Sequence, residues 1–128
     1  MISETIKRIL QVEDHQDTAN MLTIFLREIG YRVETIGTCK EGVEAIQVKR
    51  FDLFLFDNLL PDGTGIELCK EIRKNDQDSP IIFHSGAADQ NDKVAALAAG
   101  ANAYVIKPAD LDELTATVKR LLDGKSID

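Results

Sequence analysis

The chain has 128 residues, 44% of them hydrophobic and 29% charged, so it is long enough for one domain with a single core and too short for a second. Its 22 acidic and 15 basic residues give a formal net charge of -7; such a surface repels a phosphate backbone, so direct nucleic-acid binding is disfavoured. No apolar stretch approaches the roughly 18 residues that span a bilayer, and the N-terminus has no apolar signal region. We therefore expect a cytoplasmic protein that does not bind membranes.

The N-terminal third of the chain predicts a strand, a helix and a second strand. Residues 8–13 form a short apolar run that ends in the acidic pair Glu13-Asp14, which predicts a strand with carboxylates at its C-terminal end. Residues 17–29 carry apolar side chains at helical spacing and stop at Gly30, which predicts a helix. The second strand is predicted at residues 31–36.

The middle of the chain predicts a second helix, a buried strand and a third helix. Thr38 and Glu41 have the spacing of a capping box, so we predict a helix at residues 39–49. Residues 51–57, FDLFLFD, form an apolar run too short for a helix and predict a strand covered on both faces. A loop with one proline and two glycines then separates the final carboxylate of this strand from a helix at residues 66–72.

The last third of the chain predicts two further strands and two further helices. Residues 81–84 and 103–106 predict the fourth and fifth strands, and residues 111–122 predict an amphipathic final helix. Between these strands, residues 88–99 predict an Ala-rich fourth helix with few bulky apolar side chains. We expect this helix to be lightly anchored and mobile, because little apolar surface holds it.

Strands that alternate with helices in this way are typical of a parallel sheet with helices on both faces. We predict the flavodoxin-like α/β fold, a doubly wound (βα)5 arrangement with a five-stranded parallel sheet in the order 2-1-3-4-5. In this fold the carboxyl ends of the strands form the ligand crevice. The polar residues that follow strands one, three, four and five are Glu13, Asp14, Asp57, Ser85 and Lys107.

These strand-end residues favour a metal site and phosphoryl chemistry. Three carboxylates at one edge repel each other unless a cation lies among them, and oxygen ligands without His or Cys favour a hard divalent ion, usually Mg²⁺. The ammonium of Lys107 and the hydroxyl of Ser85 suit a transferred phosphoryl group, since both would bind its oxygens. Asp57 is then the predicted nucleophile.

Four motifs together give the chain a family resemblance. They are the acidic pair Glu13-Asp14, the run from Asp57 through Leu60-Pro61 to Gly65, the segment Ser85-Gly86-Ala87, and Tyr104 followed by Lys107-Pro108. With these motifs the chain resembles a bacterial response-regulator receiver domain of two-component signal transduction, of the chemotaxis-regulator type. The resemblance covers residues 8–122, so we expect one receiver domain over residues 1–128. We expect a stand-alone receiver, with a domain cut from a larger regulator or hybrid kinase as the alternative.

The resemblance implies that the chain is a phosphoprotein in a phosphorelay. Asp57 would accept a phosphoryl group from a histidine kinase or a histidine phosphotransfer protein, and Lys107 would pair with that group. Asp14 and Asp57 would bind Mg²⁺ directly, Glu13 mostly through water, and Leu59 through its backbone carbonyl. The chain would not be an enzyme for a separate substrate, since it would catalyse only its own phosphorylation and dephosphorylation.

The resemblance also implies a conformational switch. Ser85 would move toward the phosphoryl oxygens, and Tyr104 would turn inward into the space that Ser85 leaves. The surface formed by helix four, strand five and helix five would then change its affinity for a downstream partner protein, which the sequence does not identify. The peptide bond between Lys107 and Pro108 is expected to be cis.

The sequence departs from the family pattern at four positions near the site. One of them, Thr64, lies at a loop position that is often acidic, and no clear consequence follows. Glu13 stands where many receivers have Asp, which lengthens the outer arm of the metal site. Leu59 and Ala87 are apolar or small where other members carry polar groups that position the hydrolytic water, so we expect slow self-dephosphorylation. His84, next to the site, is expected to be a hydrogen-bonded or partly exposed residue without a role.

Three other functions remain as alternatives with specific objections. A flavodoxin-type electron carrier needs a Ser/Thr/Gly-rich phosphate loop after strand one, where this chain has the acidic segment EDHQD. A haloacid-dehalogenase-type hydrolase needs a second Asp two residues after its nucleophile, where Leu59 lies. A pseudo-receiver that binds partners without phosphorylation would normally have lost Lys107 or an acidic residue, and all are present.

Overall fold

The computed structural model describes residues 6–86, 90–108 and 110–123. The strands are β1 (Arg8–Val12), β2 (Arg32–Ile36), β3 (Leu53–Phe56), β4 (Leu59–Leu60), β5 (Gly63–Thr64), β6 (Ile81–Ser85) and β7 (Ala103–Ile106). The helices are α1 (Gln16–Ile29), α2 (Cys39–Val48), α3 (Gly65–Arg73), α4 (Gln90–Ala99) and α5 (Leu111–Asp123). Within the described ranges, none of the helices combines the length and the apolar character that crossing a membrane requires.

Five strands form one parallel sheet in the order β2-β1-β3-β6-β7. The predicted order 2-1-3-4-5 is confirmed, because β6 and β7 are the fourth and fifth strands of this sheet along the chain. The remaining strands, β4 and β5, pair with each other in an antiparallel hairpin between β3 and α3. Sequence analysis predicts only a loop there, since strands of two residues carry no periodic signal.

The predicted element ends differ from the observed ones by one or two residues in several places. The third strand was predicted over residues 51–57, whereas its ladder covers Leu53–Phe56. Phe51 is only 6% exposed although it precedes the strand. The apolar run therefore predicts which residues are buried, but not which residues form the hydrogen bonds of the strand ladder. The predicted start of the fourth helix at Ala88 and the site position Ala87 lie outside the described residues.

The predicted capping box at the start of α2 is only half present. The Thr38 hydroxyl accepts a hydrogen bond from the Glu41 amide at 3.1 Å, but Glu41 Oε1 accepts from the Gly37 amide and the Thr38 hydroxyl. A complete capping box lies at the start of α3, where the side chains of Thr64 and Glu67 each accept from the other's amide. Thr38 and Glu41 have the same spacing as Thr64 and Glu67, so spacing alone does not decide whether both hydrogen bonds of a capping box form.

The sheet has a hydrophobic core on each face. Because side chains alternate along a strand, Phe54 and Phe56 of β3 face one side, and Leu53 and Leu55 face the other. Helices α2, α3 and α4 cover the first side, and α1 and α5 cover the second. All four side chains are nearly or fully buried, which confirms the prediction of a strand covered on both faces.

Helix α4 buries little apolar surface. Ala96 is fully buried, but the bulky side chains of Val94 and Leu97 are 57% and 43% exposed. The C-terminal end of the helix is attached to α3, since the Arg73 guanidinium donates twice to the Gly100 carbonyl, at 3.1 and 2.8 Å. Light anchoring is therefore observed along the described part of α4, while its mobility stays a prediction.

Two glycines end helices in the left-handed region and offer a test of this attachment. Gly30 and Gly100 both have φ of 118°; an added Cβ at Gly30 meets no atom within 4 Å, whereas one at Gly100 lies 2.9 Å from the Arg73 side chain. We predict that Gly30→Ala lowers the free energy of unfolding by about 1 to 2 kcal/mol from backbone strain alone. Gly100→Ala should lower the free energy of unfolding by at least about 1 kcal/mol more than Gly30→Ala, because Arg73 also loses its hydrogen bonds to the carbonyl of residue 100. Urea unfolding measures both, and equal losses would contradict the prediction.

Candidate functional site

A cavity of about 680 Å³ lies at the carboxyl edge of the sheet. Residues at or just beyond the carboxyl ends of four sheet strands line it, together with Leu59 of the hairpin: Asp14, Asp57, Ser85 and Lys107. The parallel strand order brings these positions together although they are far apart in the sequence. The structure thus places the predicted nucleophile, lysine and serine around one space.

The carboxylates of three residues form a tight cluster beside this cavity. Glu13, Asp14 and Asp57 each offer an oxygen atom, and these atoms all lie within 4.8 Å of one another. The sheet fixes their positions, because Val12 pairs with Phe56 in the ladder and the Asp57 amide donates to the Val12 carbonyl at 2.9 Å. The residues that follow β1 and β3 are therefore neighbours.

Lys107 lies between two of these carboxylates. Its Nζ donates to Glu13 Oε1 at 2.8 Å and to Asp57 Oδ2 at 3.0 Å. Burial lowers the pKa of Lys107, but the hydrogen bonds to the two carboxylates and the negative charges of these carboxylates together outweigh burial and raise that pKa above its ordinary value. Lys107 therefore remains a cation. Its amide also donates to the Ser85 carbonyl at 2.9 Å, and the Lys107–Pro108 peptide bond is cis.

Glu13 is the most deeply buried member of the cluster, at 5% exposure. Burial raises the pKa of its carboxyl above the ordinary value; the hydrogen bond from Lys107 lowers that pKa, and the negative charge of Asp57 raises it further. The environment of Glu13 thus penalises uncompensated negative charge. A positive charge placed among the three carboxylates would remove this penalty.

The cluster fits a hard divalent cation. Its donors are carboxylate oxygens, and no histidine or cysteine from the described part of the chain belongs to it. Oxygen donors of this kind are the ligands of Mg²⁺, which keeps several of its waters. One ammonium group offsets only part of the charge of three carboxylates, so the remaining charge attracts a cation.

Leu59, the fourth predicted metal ligand, lies on the β4–β5 hairpin. Its amide donates to Asp57 Oδ1 at 3.2 Å, so its backbone lies directly beside the predicted nucleophile. Its side chain is 64% exposed. The position of this residue is therefore set by backbone contacts rather than by side-chain packing.

The two predicted switch residues lie on neighbouring strands. Ser85 is 1% exposed at the end of β6, and Tyr104 is half-buried on β7. The ring of Tyr104 stacks on that of Phe83, with centroids 6.0 Å apart and planes 8° apart. Phe83 carries no signal of its own in the sequence, because an aromatic residue within an apolar strand resembles any other core residue.

The expectation that His84 is hydrogen-bonded or partly exposed is wrong. This side chain is 5% exposed, and neither of its ring nitrogens has a hydrogen-bond partner among the described residues. Burial and the nearby charge of Lys107 lower the pKa of His84 to about 4. It is therefore a neutral, buried imidazole at neutral pH, and packing has outweighed the usual preference of histidine for partners or solvent.

The family model of the response regulator receiver domain matches residues 9–119. The chain belongs to this family. Among its relatives, the response regulator ArlR of Staphylococcus saprophyticus is 39% identical over 115 residues, which are 90% of this chain and 52% of that protein. The chain therefore spans about half the length of the curated relatives it matches.

Solved receiver domains share the whole fold. A CheY-like receiver domain from Methanospirillum hungatei has a TM-score of 0.91 and 35% identity, over 95% of this chain and 98% of that one. The receiver domain of a sensor histidine kinase from Pseudomonas aeruginosa has a TM-score of 0.84 and 32% identity, over 92% and 98%. That receiver domain has a magnesium ion coordinated in its active site cleft. The predicted fold and family are confirmed.

The buried imidazole predicts a pH dependence of the receiver's stability. Below the ordinary pKa of 6.5, the unfolded chain binds a proton at His84 that the folded chain does not bind until about pH 4. Stability is therefore lost as pH falls through this window, by about 3 kcal/mol in total. We predict that His84→Leu becomes progressively more stable than the parent as pH falls from 7 to 4.5. Urea unfolding at several pH values measures the difference, and a difference that stays constant with pH would contradict the prediction.

Proposed function

We propose that this receiver domain is the phosphoacceptor of a two-component phosphorelay and takes a phosphoryl group from a phosphohistidine donor onto Asp57. The observation that carries the proposal is the position of Lys107 Nζ, which is 3.0 Å from Asp57 Oδ2 and 2.8 Å from Glu13 Oε1. An ammonium held there lies beside the oxygen that would attack phosphorus. The donor would be a histidine kinase or a histidine phosphotransfer protein.

Asp57 has the geometry of a nucleophile. Its side chain is 12% exposed and lines the cavity, so a donor group can reach it, while the Leu59 amide and the Lys107 ammonium fix its two oxygens. In the transfer, an Asp57 oxygen bonds to phosphorus as the P–N bond of the donor phosphohistidine breaks. The electron pair of that bond returns to the imidazole nitrogen of the donor.

The acidic cluster would hold Mg²⁺ for this reaction. Glu13, Asp14, Asp57 and the Leu59 carbonyl are the proposed ligands. When bound, Mg²⁺ would supply positive charge against the phosphoryl oxygens. Lys107 would exchange its bond with Asp57 for one with a phosphoryl oxygen, and its bond with Glu13 would keep the ammonium in the site during that exchange.

The surface formed by α4, β7 and α5 is the proposed contact for a downstream protein. Three apolar side chains on α4 and β7, those of Val94, Leu97 and Ile106, are 57%, 43% and 47% exposed. Ser85 lies at the cavity and Tyr104 lies on the strand that forms part of this surface. Phosphorylation would bias the two residues, and through them the surface, toward a second arrangement.

Intact mass spectrometry tests the phosphoacceptor. We predict that the parent, incubated with a small-molecule phosphodonor and Mg²⁺, gains the mass of one phosphoryl group, because the cluster, Lys107 and Asp57 are all in place. Asp57→Asn should gain none, and removal of Mg²⁺ with a chelator should abolish the gain in the parent. A parent that gains no mass under these conditions would support the pseudo-receiver alternative instead.

The exposed Leu59 side chain predicts slow self-dephosphorylation. This side chain lines the cavity beside Asp57 and offers no polar atom to position a hydrolytic water. We predict that Leu59→Asn loses its phosphoryl group several-fold faster than the parent, measured as the decay of the phosphorylated mass. Leu59→Met, which keeps an apolar side chain, is the control and should decay at the parental rate. If all three proteins decay equally fast, the side chain at this position does not limit hydrolysis.

A further inference from the structure

The carboxylate of Asp62 attaches the β4–β5 hairpin to the first turn of α2. Asp62 lies between the two hairpin strands, and its Oδ1 and Oδ2 accept hydrogen bonds from the amides of Cys39 at 2.7 Å and Lys40 at 3.0 Å. These are the first two amides of α2, which have no partner within the helix. The Thr38 hydroxyl accepts from the next amide, that of Glu41. Of the first three amides of α2, two therefore donate to a residue outside the helix, Asp62.

The same hairpin carries Leu59. In the hairpin Leu59 pairs with Thr64, and the Leu59 side chain is too exposed to hold the strand by packing. Thr64 is itself held from two helices: its carbonyl accepts from Cys39 Sγ at 3.3 Å, and its amide donates to Glu67 Oε1 at 3.1 Å. The backbone of Leu59 is thus positioned by contacts that lead back to the start of α2.

We propose that Asp62 is a positioning residue for the Mg²⁺ site. It does not belong to the carboxylate cluster or to the lining of the cavity, so it would act through the hairpin rather than by touching the cation. Without the bonds between Asp62 and α2, the hairpin samples more positions. Mg²⁺ binding must then also order the Leu59 carbonyl, and this entropic cost makes the binding free energy less favourable. This inference rests on the proposed function, because it takes that carbonyl as a ligand.

The coupling must act in both directions. If Asp62 strengthens Mg²⁺ binding by ordering the hairpin, then Mg²⁺ binding must stabilise the bonds between Asp62 and α2 by the same free energy. The amides of Cys39 and Lys40 report on those bonds. Mg²⁺ should slow their hydrogen exchange in the parent and have a smaller effect in Asp62→Ala.

The experiment is a calorimetric titration of Mg²⁺ into the full chain and its variants. Asp62→Ala should raise the Kd by about tenfold, the lower end of the loss usual for a residue that orients a metal ligand without touching the metal. Asp62→Asn keeps one acceptor oxygen and should lie between parent and alanine variant. The matched control is Asp52→Ala: Asp52 also accepts a backbone hydrogen bond, from the Arg8 amide at 2.7 Å, but at the opposite edge of the sheet, so the Kd should not change.

A titration at high salt distinguishes an effect of Asp62 on the position of the hairpin from the loss of its negative charge near the cation. Asp62 is exposed, so its direct attraction for a cation is largely screened at about 1 M salt, where the Debye length is about 3 Å. A raised Kd for Asp62→Ala that persists there, with reduced protection of the two α2 amides, supports the proposal. A Kd that returns to the parental value, or that matches the effect of Asp52→Ala, overturns it. A parent that binds no Mg²⁺ overturns the proposed metal site as well, whereas a parent that binds it and becomes phosphorylated leaves the proposed function intact.

Discussion

Mutual repulsion among three carboxylates is the constraint around which this receiver domain is built. Their oxygens lie within 4.8 Å of one another because the parallel ladder of β1 and β3 leaves Glu13 and Asp57 side by side. Lys107 reduces the repulsion with one ammonium, but it cannot balance three negative charges. A core of apolar strands stabilises the arrangement, so the site keeps an excess of negative charge that suits a divalent cation.

The strands that carry the carboxylates are tightly packed, whereas helix α4 is packed loosely. The carboxylates follow β1 and β3, which lie inside the sheet with apolar side chains packed on both faces. Helix α4, by contrast, leaves Val94 and Leu97 largely exposed and is attached through Arg73 at its C-terminal end. The carboxylate cluster is thus held by buried strands, whereas α4 is held by few apolar contacts.

The sequence predicts the sheet and the strand-end residues because short apolar runs mark buried strands wherever they occur. It does not predict the hairpin, since strands of two residues carry no periodic signal. The bond between Asp62 and the Cys39 amide joins residues 23 positions apart and leaves no local pattern either. The sequence also gives the wrong environment for His84. A polar residue at the end of a strand is expected to meet water or a partner, but here the surrounding packing buries the ring. Contacts between distant segments decide both the Asp62 bond and the burial of His84.

The close packing around Phe83 links the loop that follows Asp57 to Tyr104. A Cβ at Gly65 would lie 2.7 Å from the Asp57 carbonyl and 2.9 Å from the Phe83 ring, so only glycine allows the loop to approach this closely. The ring of Phe83 also stacks on that of Tyr104. Because protein interiors are close-packed, a change in the ring position of Tyr104 must disturb Phe83, and Phe83 in turn lies against the loop at Gly65. Asp57 and Tyr104 are therefore linked through one part of the core.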